Sequence, residues 1–409
     1  MDLPYLTADL PGVGGVMRAK PEDFFVQELP LYEPSGGGGF IYFECQKVGL
    51  TTFEAINRIA TELNISRSDI GYAGLKDRHA ITQQLFSVPL TETTTEERVM
   101  TMEVEGLAPR WADLHENKLK MGHLAGNRFA IRLREVQATD VVKLRPILDR
   151  LIKTGLPNYF GEQRFGRDEH RPNDQLGILL LRGDHQAFLD LYLGGPDGRG
   201  DVAHARSIYE GDGPAAALEV WPENIRAERK VLAKLVNTND PAKAVNAVDR
   251  KLRRLYESAA QSKVFNAIVA DRVRDGLVDQ LVEGDAVAIH REALRTGGGF
   301  IVEDAAAEQE RCTNWEISPT APMPGKKERP PAAGEAAQRE AVVLEQLGLT
   351  RADFGSMPGE RRPLRVQPLD TKLSSEVTED GQTITVAFSL PAGSFATTLM
   401  RELMKPDAT

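Results

Sequence analysis

Cysteine is nearly absent from this chain: Cys45 and Cys312 are the only two in 409 residues. That rules out a disulfide framework, a zinc ribbon and an iron–sulfur cluster, and it fits a reducing, cytoplasmic setting. No apolar run approaches the roughly 18 residues that a transmembrane helix needs, so no membrane association is expected. The stretch from Met1 to Pro11 carries acids and prolines and lacks a basic start followed by an apolar core, so it is not read as a secretory signal. None of the seven histidines has the helical i,i+4 partner with an intervening Glu of a zinc hydrolase. A Gly-x-Ser-x-Gly elbow is missing, as is a Gly-x-Gly-x-x-Gly turn after a strand. The chemistry is thereby narrowed to what side chains do alone, with no cofactor and no metal expected.

Net positive charge is missing too. The formal charge is −10, which counts against a surface that binds nucleic acid everywhere, because phosphates need Lys and Arg. It leaves room for a basic groove on an acidic body.

The length suggests two or three domains. The N-terminal part alternates short strands, such as Phe24–Val26 and Phe40–Cys45, with turns. The four glycines Gly36 to Gly39 lead into a strand and lack a Lys-Ser or Lys-Thr pair, so they read as a hairpin loop, not a phosphate cradle. Thr51 and Glu54 form a capping box that opens a helix carrying Ile56, Ile59 and Ala60. Along Gly126 to Arg134, Phe129, Ile131 and Leu133 alternate with Arg128, Arg132 and Arg134. One face of this strand is apolar; the other is either a solvated outer face or a basic wall for phosphates, with Lys118 and Lys120 upstream. Asp140 is expected to cap a helix with Val141, Leu144, Leu148 and Leu151 on one side. From Asn158 to Ile289 the pattern is mainly helical, clearest over Ile178–Leu193 and Ala242–Val273. Met323 to Glu335 reads as a surface loop. Strand patterning returns at Thr383–Phe388, and a helix over Ala396–Met404 closes the chain. A helical middle between strand-rich ends implies a helical domain inserted into an α+β domain.

One segment concentrates unlike charges between a helix and a strand: Ala73-Gly74-Leu75-Lys76-Asp77-Arg78-His79-Ala80. A carboxylate beside Lys76 and Arg78 is held ionised, as a nucleophile must be, but the same pattern also describes a plain solvated turn. The charge pattern alone leaves the two open.

The wider stretch Gly71 to Gln84 resembles the signature of the TruD family of tRNA pseudouridine synthases. Four further segments match that family in order. They are Lys20-Pro21-Glu22-Asp23-Phe24-Phe25-Val26, Gly126-Asn127-Arg128-Phe129, Pro157 to Gly166, and Leu390-Pro391-Ala392-Gly393-Ser394-Phe395-Ala396-Thr397. Two departures stand out. Ala321 replaces a glycine common in the family, and Arg18 stands where a lysine is expected.

The resemblance implies an α+β pseudouridine synthase core: a curved mixed, mainly antiparallel sheet flanked by helices. Residues 1–155 and 358–409 would form this catalytic domain, with 156–357 as the family's inserted, mainly helical domain. It implies isomerisation of a uridine in tRNA, position 13 for bacterial members, by a monomer without cofactor or protein partner. Asp77 is the implied nucleophile. Lys76 or Arg18 is the supporting charge, with Glu22 positioning one of them. Phe129 stacks on the flipped base, Phe24 lines the same pocket, and Asn127 bonds the base edge or holds the Asp77 loop. Arg128, Arg132, Arg134, Arg164 and Arg167 are the expected phosphate contacts, the last two where the inserted domain begins. The competing expectation is a non-catalytic tRNA-binding or RNA-folding protein on the same scaffold, whose mark would be loss of the carboxylate at position 77.

Overall fold

The computed structural model describes residues 3–166, 168–196, 200–292, 294–328, 330–378 and 381–405. The chain divides into two compact units. One comprises Tyr5–Pro157, Ile289–Gly297 and Arg365–Thr409; the other comprises Met1–Pro4, Asn158–Ala288 and Gly298–Leu364.

The first unit is built on a nine-stranded mixed sheet. Its order runs Leu369–Thr378, Gly381–Pro391, Leu124–Arg134, Phe24–Pro30, Ile81–Pro89, Phe40–Val48, Leu107–His115, with Val16–Met17 and Gly71–Tyr72 as short additions. Phe24–Pro30 and Ile81–Pro89 pair in parallel at the centre of the sheet; the neighbouring pairs along this path are antiparallel. Side chains alternate between faces, so the register decides which residues meet. One row crosses the sheet as Phe388, Phe129, Val26, Thr82 and Lys47, each opposite the next. Apolar at one end and charged at the other, it marks a boundary inside the unit.

On that face two hydrophobic cores lie side by side. One joins Phe24, Val26, Phe129, Ile131 and Phe388 to the helices Val141–Thr154 and Ala396–Met404 through Leu144, Ile147, Leu148, Leu151, Leu399 and Leu403. The other joins Ile41, Phe43, Cys45 and Phe86 to the helix Thr52–Leu63 through Ala55, Ile56, Ile59 and Leu63. Each fully buried aliphatic side chain here contributes about 1.5–3 kcal/mol. The cores exclude a polar set that is nonetheless buried: Glu28, Lys47, Thr52, Thr82 and Gln84.

The second unit is helix-rich. Helices over Asn173–Arg182, His185–Leu193, Gly200–Gly211, Pro214–Val220 and Arg226–Thr238 precede the long helix Arg250–Arg274. It also contains strands of a four-stranded sheet, ordered Arg295–Ile301, Ala286–Glu292, Ile317–Met323, Glu360–Pro363, which the helical reading of this region did not anticipate. Pro319 and Pro322 disguise the third of these strands. It is buried throughout, and each proline removes a ladder donor.

Several local expectations hold, and several shift. The Thr51–Glu54 capping box forms: the Thr51 amide donates to Glu54 Oε2 at 2.7 Å and the Glu54 amide to Thr51 Oγ1 at 3.2 Å. The closing helix spans Ala396–Met404. Asp140 makes no cap on the helix that follows it. Its carboxylate accepts the Gln137 amide at 3.0 Å and closes the preceding turn instead. The stretch Ile178–Leu193 is two helices, because Gly183 takes φ of 69° and Asp184 starts a new one. Ala242–Val273 breaks likewise before Asp249, which caps the long helix.

Candidate active site

The loop from Ala73 to Ala80 enters the strand Ile81–Pro89 and lies on the buried polar set between the two cores. Its base is tied down at four points. Gly74 O accepts from Gln84 Nε2 at 2.7 Å, and the Lys76 amide donates to Thr52 Oγ1 at 2.9 Å. Thr52 in turn donates to Gln84 Oε1 at 3.1 Å. Ala73 O accepts the Gly122 amide at 2.8 Å. The fourth tie is Lys47, whose Nζ donates to Asp77 O at 2.9 Å and Leu50 O at 2.7 Å.

Lys76 and Asp77 are neighbours with opposite fates. The Lys76 ammonium turns inward, 3.0 Å from Glu28 Oε1 and 2.6 Å from Asn127 Oδ1, with its side chain 7% exposed. Burial pushes the Glu28 carboxyl up, and Lys76 and the Leu85 amide oppose that rise. The Asp77 side chain turns outward and is 53% exposed, its Oδ2 3.5 Å from Arg18. An ion pair this exposed adds about 0–1 kcal/mol at most, so stability does not explain its placement. Arg18 is itself held unusually. Its backbone is left-handed, with φ of 63°, at a cost of about 1–2 kcal/mol, and its guanidinium lies 4.0 Å above the centre of the Phe24 ring. The ring fixes the cation, and the cation faces Asp77.

Phe24 and Phe129 do meet, edge to face at 6.4 Å, and Phe129 stacks on Phe388 at 5.3 Å. Phe129 is only 6% exposed. Asn127 shares its face of the strand and touches the loop through Lys76. The register brings distant segments together here: Asn127 pairs with Glu28 on one side and Leu390 on the other. Gly126 is required by this packing, since a Cβ would come 2.3 Å from Leu390 O.

Other expected residues lie elsewhere. Glu22 is exposed on the turn Pro21–Asp23; the carboxylate on Lys76 is Glu28 instead, because Glu28 falls on the inward parity of its strand. The three arginines of Leu124–Arg134 share the opposite face of the sheet. Arg128 is exposed, 3.6 Å from Asp370. Arg132 is half-buried. Arg134 donates through Nη2 and Nε to the two carboxylate oxygens of Asp23, at 2.7 and 2.8 Å. Burial works against the Asp23 charge, but Arg134 outweighs it and holds the carboxyl below its usual range. Arg164 belongs to the helix-rich unit, where it donates to Ser262 Oγ at 3.0 Å and to Ser258. Arg167 lies outside the described residues. Among the described residues no three His, Cys, Asp or Glu side chains are grouped to hold a metal ion.

Sequence reasoning missed Lys47, Glu28, Thr52 and Gln84. A signal existed for two of them. Phe24, Val26, Glu28 and Ile41, Phe43, Cys45, Lys47 are period-two rows in which a charge ends an apolar series.

A family model described as tRNA pseudouridine synthase D (TruD) matches residues 1–403, which sets the class as that of the pseudouridine synthases. The tRNA pseudouridine synthase D of Geotalea daltonii is 42% identical over 98% of this chain and 99% of its own length. That of Geobacter sulfurreducens is 40% identical over 99% and 97%, and that of Thermus thermophilus 37% over 99% and 93%. A crystal structure from Methanosarcina mazei, assigned to tRNA pseudouridine synthase D (TruD), superposes with a TM-score of 0.84 at 25% identity, covering 99% of both chains. The chain belongs to the TruD family.

Proposed function

We propose that this protein converts a uridine of tRNA, at position 13, to pseudouridine, with Asp77 as the nucleophile and no cofactor. The observation that carries the reading is the placement of one carboxylate. Asp77 is the outward-facing carboxylate of a loop whose adjoining ammonium, Lys76, is buried and spent on Glu28 and Asn127.

In the reaction the N1–C1′ bond breaks, the uracil turns, and C5 bonds to C1′. The C5 proton leaves to solvent and N1, freed from C1′, gains one, so atoms and electrons balance within the nucleoside. Asp77 attacks either C1′ or C6; in both cases the carboxylate must be ionised and aimed. Arg18 supplies the facing positive charge and Phe24 fixes it. A stacked uridine must first leave its helix. Phe24 and Phe129 then form the apolar wall of the pocket that receives it, and Asn127 holds the loop through Lys76. The strand-rich unit is the catalytic one and the helix-rich unit is the family's insertion. Arg128, Arg132 and Arg164 are the phosphate contacts, whereas Arg134 is committed to Asp23. The protein acts as a cytoplasmic monomer.

The test is release of tritium from tRNA labelled at uracil C5. The native protein releases it; Asp77→Asn, with its fold intact, does not. A non-catalytic tRNA-binding protein would release none in either form.

A further inference from the structure

Lys47 ends the inward row Ile41, Phe43, Cys45, Lys47, and its side chain is wholly buried. Burying an ammonium costs several kcal/mol, and an aliphatic residue would complete the row at no such cost. What the charge adds is its set of acceptors. Nζ lies 2.7 Å from Leu50 O, 2.9 Å from Asp77 O and 3.5 Å from Lys76 O. An ammonium has three N–H groups, and here three carbonyls stand around it. Two of the three belong to the residues that turn Lys76 inward and Asp77 outward.

We propose that Lys47 is a positioning residue for the isomerisation: its ammonium fixes the Lys76–Asp77 backbone so that the Asp77 carboxylate faces the nucleoside. The inference rests on Asp77 being the nucleophile. The Asp77 side chain has little else to hold it, being half-exposed with Arg18 at 3.5 Å. The Thr52 bond fixes only the Lys76 amide. Lys47 grips the peptide carbonyls on both sides of that turn from below. The charged groups facing it are Asp77 and Lys76 on the loop, Glu28 on the strand Phe24–Pro30, and Glu54 on the helix Thr52–Leu63. Burial pulls its pKa down to about 8. Above that pH a neutral amine has two N–H groups for three carbonyls, and the grip loosens.

Tritium release is measured with the full-length native protein, Lys47→Met, Lys47→Arg and Asp77→Asn, on both sides of pH 8, alongside thermal unfolding. In Lys47→Met, kcat falls about ten- to a hundredfold, as expected when a reacting group is displaced by an ångström, while KM for tRNA stays within about twofold. The native profile has an alkaline limb near pH 8. That limb is absent in Lys47→Met and moves to higher pH in Lys47→Arg, whose guanidinium stays charged. Uridine ionisation is common to all the proteins and cancels in the comparison.

Superimposable pH profiles, an unchanged kcat in Lys47→Met, or a loss only in proportion to the unfolded fraction would overturn the inference. If Lys47→Met does not fold, Lys47→Arg decides: a moved limb supports the positioning role and an unmoved one refutes it. An active Asp77→Asn would instead refute the nucleophile. An inactive Asp77→Asn with Lys47 variants at native rates would refute the Lys47 role alone.

Discussion

The base and the tip of the Ala73–Ala80 loop are adjacent in sequence and opposite in physics. At the base, Lys76 is bound to Glu28 and Asn127 in a space closed on both sides by apolar cores. At the tip, Asp77 is half-exposed beside a guanidinium held by an aromatic ring. Charge in the base costs desolvation and is recovered through exact partners; charge at the tip costs little and is worth little to the fold. Burial and pairing are therefore concentrated at the base, while the tip, where the proposed nucleophile lies, contributes little to stability.

That contrast is broken most severely at the tip. Asp77→Asn is expected to bring tritium release to background while changing unfolding stability by no more than about 0.5 kcal/mol, the usual range for an exposed substitution. Thermal unfolding beside the activity assay checks both halves.

At the base the order reverses. Lys76→Met leaves the Glu28 carboxylate buried without its ammonium, which destabilises by about 3–5 kcal/mol. The sign with pH follows from the raised Glu28 value. A buried carboxyl with a raised folded-state pKa is best accommodated when protonated. The Lys76→Met penalty is thus smallest below the unfolded-state value of Glu28 and grows as pH rises through the folded one. Denaturant unfolding of native and variant proteins across that range measures it. A penalty that shrank with rising pH would contradict the burial argument.

Phe129→Leu probes the wall between the regions. Turnover is expected to fall more than tRNA affinity, by about 1 kcal/mol in activation energy, the low end of a base–aromatic stack. Equal losses in kcat and Kd would point to packing against Phe24 and Phe388 as its sole role. The smallest effect belongs to Arg18→Lys. The charge facing Asp77 survives and only the stack on Phe24 weakens, so kcat is expected to stay within about fivefold of native, corresponding to the ~0.5–1 kcal/mol of a surface cation–π contact.

Asp77 at the tip and Lys76 and Asn127 at the base were named from the sequence, whereas Glu28 and Lys47 were not. Asp77 stood in a dense run of charges between a helix with a clear capping box and a strand, and the resemblance singled it out. Period-two reading put Phe129 and Asn127 on one face of their strand, and the resemblance made them site candidates. Glu28 and Lys47 belong to strands whose apolar rows end in a charge, and the pattern shows that end without showing what it touches. Their neighbours are set by strand register, Glu28 opposite Asn127 and Lys47 opposite Thr82, a long-range property that no local spacing encodes. The same holds for Arg134. Its alternation with Phe129 and Leu133 placed it on the right face, but the Asp23 that claims it is 111 residues away. One strand of the helix-rich unit, Ile317–Met323, was missed for a local reason, its two prolines.

Site-specific mapping of pseudouridine in a tRNA that lacks it tests the nucleophile most directly, with native protein and Asp77→Asn matched for folded fraction. The native protein should place pseudouridine at position 13 and Asp77→Asn should place none. Conversion by Asp77→Asn at the native rate would contradict the account.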